Sequence, residues 1–145
     1  MGIYALTGGA TGIGAAIKAR LEAKGHRVIM VDLKGADITA DLATAKGRAT
    51  AVEGIKAAAP EGLNGLITSA GVGSHIPDHR LITNVNYFGT VKVVEELVDL
   101  VALKKGSIVL LSSNSAPMST SEHYVDLLLE GNETAALDES DKIGG

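Results

Sequence analysis

The stretch YALTGGATGIGAAIKARL, residues 4–21, limits what this chain can become more than any other. A short apolar run ends abruptly in glycines and other small residues. A helical spacing of Ile13, Ala16, Ile17, Ala19 and Leu21 then begins inside them. This pattern predicts a buried strand that turns directly into a helix. Gly8, Gly12 and Gly14 fall in the turn, together with Thr11 and Ile13. Bare backbone there allows a tight bend, close approach of a pyrophosphate, and close packing of helix on strand. The helix start would direct free N–H groups and the positive end of its dipole at the phosphates. The segment is therefore expected to bind a dinucleotide rather than to form a plain structural turn.

The rest of the chain repeats the strand–helix rhythm. HRVIMVDL reads as a strand over residues 27–32, and ADITADL holds a very short third strand near residues 37–39. An alanine-rich helix spans residues 44–59 and stops at Pro60. NGLITSAG is another strand ending at a glycine, residues 81–104 form a long helix, and GSIVLLSS gives a strand over residues 107–113. Helical patterns between buried strands predict an α/β fold, a Rossmann-type doubly wound parallel sheet with helices on both faces. Residues 1–115 are read as the dinucleotide-binding part. Residues 116–145 are polar and serine-rich, and read as a loop with one short helix at residues 125–129.

Asp32 closes the second strand 18 residues after Gly14. A carboxylate there accepts hydrogen bonds from ribose hydroxyls and repels a 2′-phosphate. Neither Thr11 nor Leu33 offers a compensating cation, although Lys34 is near, so NAD is expected over NADP. With 145 residues, 46% hydrophobic and 21% charged, the chain reads as one soluble globular domain. A net charge of −4, with Lys104-Lys105 the only adjacent Lys/Arg pair, argues against a nucleic-acid surface. No cysteine, no export-like leader and no membrane-length apolar run point to the cytoplasm, with no membrane partner. His75 and His79 flank Pro77 without a third ligand, so no metal site is expected.

The glycine spacing Thr7-Gly8-Gly9-Ala10-Thr11-Gly12-Ile13-Gly14 resembles that of the short-chain dehydrogenase/reductase family, and later stretches agree in order. Asp41-Leu42 resembles the family's acidic-apolar pair beside the adenine. Ser69-Ala70-Gly71 resembles its N-A-G strand end, with serine replacing asparagine, which adds Ala70 and Gly71 to the cofactor contacts. Asn84-Val85-Asn86-Tyr87-Phe88-Gly89 resembles the segment that carries a catalytic asparagine, here Asn86. GSIVLLSS resembles the strand that ends in the catalytic serine, here Ser113. The likeness covers residues 3–115. KGADITADL and the long tail after Ser113 are most similar to the bacterial 3α-hydroxysteroid dehydrogenase/carbonyl reductase group.

The resemblance implies hydride transfer between a nicotinamide and a small alcohol or carbonyl compound, steroid-like or otherwise hydrophobic. Ser113 would donate to the substrate oxygen, and Asn86 would hold a proton-relay water. The plainer alternatives are a serine capping local backbone and an ordinary polar helix residue. The family's general acid/base, a tyrosine with a lysine four residues on, has no counterpart here: Tyr124 is followed at that spacing by Leu128. The pair is expected beyond Gly145, in a remaining C-terminal part of the same fold, and the chain alone is expected to be inactive. The strand at residues 107–113 would otherwise form an exposed edge. The apolar set of the long helix is wider than one stripe, which fits either burial by the missing part of its own fold or a homo-oligomer contact, the latter being expected. A different class stays open: a non-catalytic NAD-binding sensor or scaffold.

Overall fold

A computed structural model describes residues 1–118 and 120–144. The five strands are β1 (Ile3–Thr7), β2 (Arg27–Asp32), β3 (Ile38–Thr39), β4 (Gly65–Thr68) and β5 (Ser107–Leu110). They form one parallel sheet in the order β3-β2-β1-β4-β5. β1 is central: Tyr4 stands opposite Val28 on one side and Gly65 on the other. The chain builds outward from β1 through β2 to β3, then crosses to β4. This reversal opens a crevice at the strands' carboxyl ends, where ligands of such sheets bind.

Helices α1 (Gly12–Ala23), α2 (Ala45–Ala58), α3 (His79–Thr83) and α4 (Gly89–Ala102) connect the strands, with α5 (Glu122–Leu129) and α6 (Glu133–Ile143) following β5. Side chains alternate across the sheet. Ala5, Ile29, Val31 and Leu66 pack on one face with Val52 and Ile55 of α2 and Val93, Leu97 and Val101 of α4. Leu6, Val28 and Ile67 meet Ile17 and Leu21 of α1 on the other. Helices thus cover both faces of a parallel sheet, as the alternation predicted. Among the described residues, no helix is long and apolar enough to cross a membrane.

Three local expectations are corrected. The long helix starts at His79 and ends at Ala102, and a π-helical turn, Asn84–Phe88, interrupts it. β5 ends at Leu110 rather than Ser113. Its partner β4 stops at Thr68, so only one further bond, Leu111 N–H to the Thr68 carbonyl, continues the ladder. The tail holds two helices instead of one. Ser121 Oγ accepts from Tyr124 N (3.2 Å) to start α5, and Asn132 Oδ1 accepts from Ala135 N (3.2 Å) to start α6. The α5–α6 hairpin is seated on the domain by Phe88, Leu127 and Ala136. Arg80 of α3 also donates to Asp138 (2.9 Å) and Asp141 (3.1 Å) of α6, and these bonds raise its pKa above the ordinary guanidinium value. The outer flank of β5 pairs with no strand among the described residues, and Val109 and Leu110 are about half exposed there.

Candidate active site

The glycine turn leaves the carboxyl end of the central strand. Gly8 N–H donates to the Val31 carbonyl (2.8 Å), tying the bend to β2. Its φ is +73°, and a Cβ there would lie 2.6 Å from the Ala70 backbone. A Cβ on Gly14 would overlap the Gly8 carbonyl, so α1 reaches the turn only because that residue is bare. Thr11 precedes the helix, and its side chain makes no capping bond. The first N–H groups of α1, from Gly12 through Gly14, thus have no side-chain cap beside the bend, which is the donor set an anion needs.

Asp32 faces this turn from the end of β2. Its Oδ2 accepts from Ala10 N (2.9 Å) and its Oδ1 from Leu33 N (2.7 Å). The carboxylate fixes the bend to the neighbouring strand and keeps lone pairs for sugar hydroxyls. Asp41 and Leu42 follow β3, with Asp41 Oδ1 accepting from Ala43 N (3.0 Å). Across the crevice, Thr7 Oγ1 accepts from Ala70 N (3.3 Å) and holds the segment after β4. Gly8, Thr11, Ile13, Asp32, Leu33, Asp41, Leu42, Ala70 and Gly71 all line one cleft of ≈ 500 Å³. Gly12 and Gly14 are not on its lining and act as framing backbone. Sequence reasoning missed the apolar wall supplied by Leu81, Val85 and Leu111. For the first two, the helical spacing gave a signal. The cleft, with its uncapped helix start and strand-end carboxylate, fits a dinucleotide.

Asn86 and Ser113 line a second pocket of ≈ 430 Å³, which shares Val72 with the cleft. Both ends of the Asn86 amide bond one residue: Nδ2 donates to the Val72 carbonyl (2.9 Å) and Oδ1 accepts from Val72 N (2.8 Å). The side chain therefore bridges the π turn to the loop after β4. Gly71 leaves room for it, since a Cβ there would stand 3.2 Å from Asn86 Oδ1. Ser113 is exposed, three residues past β5, and its Oγ accepts from Ser115 N (3.2 Å) and pairs with Ser115 Oγ (2.9 Å). Sequence reasoning also missed the pocket's buried wall, where Thr83 Oγ1 and Tyr124 OH are 2.7 Å apart. Among the described residues, no lysine lines this pocket. Among the described residues, no group of three or more His, Asp or Glu converges as metal ligands do.

This arrangement of sheet, turn and acid has known counterparts. The chain belongs to the short-chain dehydrogenase family, whose model matches residues 3–125. It is 37% identical over 139 residues to a 3-alpha-hydroxysteroid dehydrogenase/carbonyl reductase of Comamonas testosteroni, covering 93% of this chain and 53% of that protein. Its structure is similar to that of the 3-alpha-hydroxysteroid dehydrogenase from Pseudomonas sp. B-0831 complexed with NADH. The TM-score is 0.90 at 35% identity, over 99% of this chain and 62% of that one. An oxidoreductase from Brucella ovis shares the fold alone, with 19% identity and a TM-score of 0.70 over 94% of this chain and 72% of that one. The chain spans about half the length of the curated relative it matches.

Proposed function

We propose that this chain is the coenzyme-binding part of an NAD-dependent oxidoreductase that interconverts an alcohol with a ketone or aldehyde. The observation that carries this reading is the uncapped glycine turn with Asp32 bonded to its Ala10 N–H at the edge of the cleft. When bound, the nicotinamide supplies or accepts the hydride. The bend holds the diphosphate with backbone donors, and Asp32 accepts the ribose hydroxyls while repelling a 2′-phosphate, which favours NAD over NADP. Asp41 and Leu42 border the adenine side, with Ala70 and Gly71 opposite.

Ser113 is the hydroxyl assigned to the substrate oxygen. For that role it turns from Ser115, and its exposed place beyond β5 gives it the freedom to do so. Asn86 holds the loop that separates the coenzyme cleft from the second pocket. Ile82, Ile143 and the Tyr124 ring put apolar surface among the serines and threonines of that pocket, which supports a hydrophobic, steroid-like carbonyl substrate with a polar end. The general acid/base requires a tyrosine–lysine pair that residues 1–145 do not contain, so residues 1–145 by themselves would turn over no alcohol. The open flank of β5 suits further strands of the same fold, and exposed Val98 on α4 suits a subunit contact. One observation favours a non-catalytic NAD-binding sensor or scaffold instead: among the described residues, Tyr124 stands in the pocket without a lysine.

Titration with NADH and NADPH, followed by coenzyme fluorescence, tests the site. NADH is expected to saturate the chain and to bind more tightly than NADPH. Asp32→Ala removes charged hydrogen bonds worth about 2 kcal/mol, so NADH affinity falls roughly thirtyfold and the gap to NADPH closes. A folded chain that binds neither coenzyme refutes the reading. Turnover of NAD⁺ with a hydrophobic alcohol, by a full-length protein carrying the tyrosine–lysine pair, separates the enzyme from the sensor.

A further inference from the structure

Arg48 of α2 is 5% exposed, the only charged side chain among the described residues buried to that degree. It sits on the inward stripe of α2 with Ala51, Val52 and Ile55. A guanidinium in such a position is costly unless its donors are met. Here they are. Nε donates to the Leu42 carbonyl (2.9 Å) and Nη1 to Glu133 Oε1 (3.0 Å). Nη2 donates to the Ala43 carbonyl (3.3 Å) and the Asn84 carbonyl (3.3 Å), with Asn84 Oδ1 at 3.4 Å. The Phe88 ring centroid lies 6.0 Å away.

These partners belong to three separate pieces: the loop bordering the adenine side, the π turn, and α6. The Asn84 carbonyl is also the acceptor that Gly89 N–H reaches across the widened turn. Arg48 therefore bonds the turn where it departs from α-helical spacing. Two residues further on, Asn86 leaves that turn and clasps Val72 through both of its amide bonds.

We propose that Arg48 is a positioning residue: it fixes the π turn that aims Asn86 at Val72 and, through Glu133, sets the α5–α6 hairpin in register with it. The loop between the two cavities, the adenine-side loop and the hairpin wall of the second pocket are then held by one planar group. Lysine does not replace it, because three donors on a single nitrogen do not reach partners spread around a plane. The importance of Asn86 to catalysis rests on the function proposed above, whereas the clasp itself does not.

Amide hydrogen exchange and side-chain NMR on the coenzyme-free chain test this directly. In Arg48→Met, the Val72 N–H is expected to exchange roughly tenfold faster, as for a local opening. The Asn86 side-chain NH₂ signals would move toward those of a solvated asparagine, while Ala5 and Leu6 in β1 keep their protection. Arg48→Lys is expected to behave like Arg48→Met. Glu133→Gln leaves the guanidinium in place and should speed Val72 exchange about two- to threefold. Unchanged Val72 and Asn86 signals in folded Arg48→Met overturn the proposal, as does an equal loss of protection across β1. Should Arg48→Met not fold, Glu133→Gln decides: an unmoved Val72 overturns it. Because no coenzyme is present, failure of the NADH titration and failure of this test are independent results.

Discussion

Two glycine-to-alanine changes in helices should move stability in different directions, although their local chemistry is the same. Alanine is preferred to glycine in a helix interior by about 1 kcal/mol. At Gly54 of α2, an added Cβ meets the end of the Ile38 side chain at 2.7 Å, and that side chain belongs to a two-residue edge strand. Rotation of its end clears Cδ1, while Cγ1 and Cγ2, at 3.0 and 3.3 Å, must give by a few tenths of an ångström on an edge strand, so Gly54→Ala should be neutral or stabilising by less than about 1 kcal/mol. At Gly14 the added Cβ falls on the Gly8 carbonyl, which is main chain at the end of the central strand. No rotamer relieves that overlap, and α1 must move off β1. Overpacking of this kind costs typically 1–3 kcal/mol, occasionally more. Because the obstacle is backbone, the upper end applies, and the helix preference offsets about 1 kcal/mol of it. The net loss is roughly 2 kcal/mol, or about 6 °C in melting temperature for a domain of this size. Urea and thermal melts by circular dichroism would measure both variants. A Gly14→Ala midpoint equal to or above that of the parent chain refutes the close-approach argument. Coenzyme affinity in that variant should fall further than stability alone accounts for, since the bend and the helix start no longer face the same point.

Two other changes test single features. Thr68 Oγ1 is buried with no hydrogen-bond partner among the described residues. Thr68→Val should therefore raise stability by about 1 kcal/mol in urea melts, and a loss would mean that the hydroxyl has a partner. Asn132→Ala removes the side-chain cap of α6, at about 1 kcal/mol. Amide exchange should quicken in α6 and leave β1 unchanged, and a uniform acceleration would contradict local opening of the hairpin.

The parts of the fold set by near neighbours were legible in the sequence. β1, its glycine turn, α1 and Asp32 follow from apolar spacing and small residues within 32 positions, and the alternation of strands and helices fixed a parallel sheet. The π turn was not legible, because Asn84 to Phe88 fit a continuous helical period. Its extra width is met by a carbonyl that Arg48 reaches from another helix. Residues 111–113 read as strand because Leu111 prolongs the apolar run and the GSIVLLSS motif resembles a strand ending at its serine, yet β4 offers them no partner beyond Thr68. The polar composition of residues 132–144 hid α6, although Asn132, Glu133, Lys142 and Gly144 are ordinary start and stop signals. Arg48 left a trace too: it occupies the apolar stripe of α2, seven residues before Ile55. For Asn86 the motif gave the position, while its engagement with Val72 emerges only from the three-dimensional arrangement.

Parallel pairing also bears on the order of assembly. Apart from β2 and β3, which residues 33–37 connect directly, the paired strands of this sheet are far apart in sequence and joined by no hairpin, so those pairings wait for helical crossover segments to form. Tyr4 must find Gly65 before the side of the crevice carrying Ala70 and Gly71 exists at all. An early intermediate with only β1 and β2 aligned would own the glycine bend but lack the opposite bank. NADH fluorescence during refolding would consequently lag behind the return of helical signal, a clock for the slowest long-range closure in the molecule.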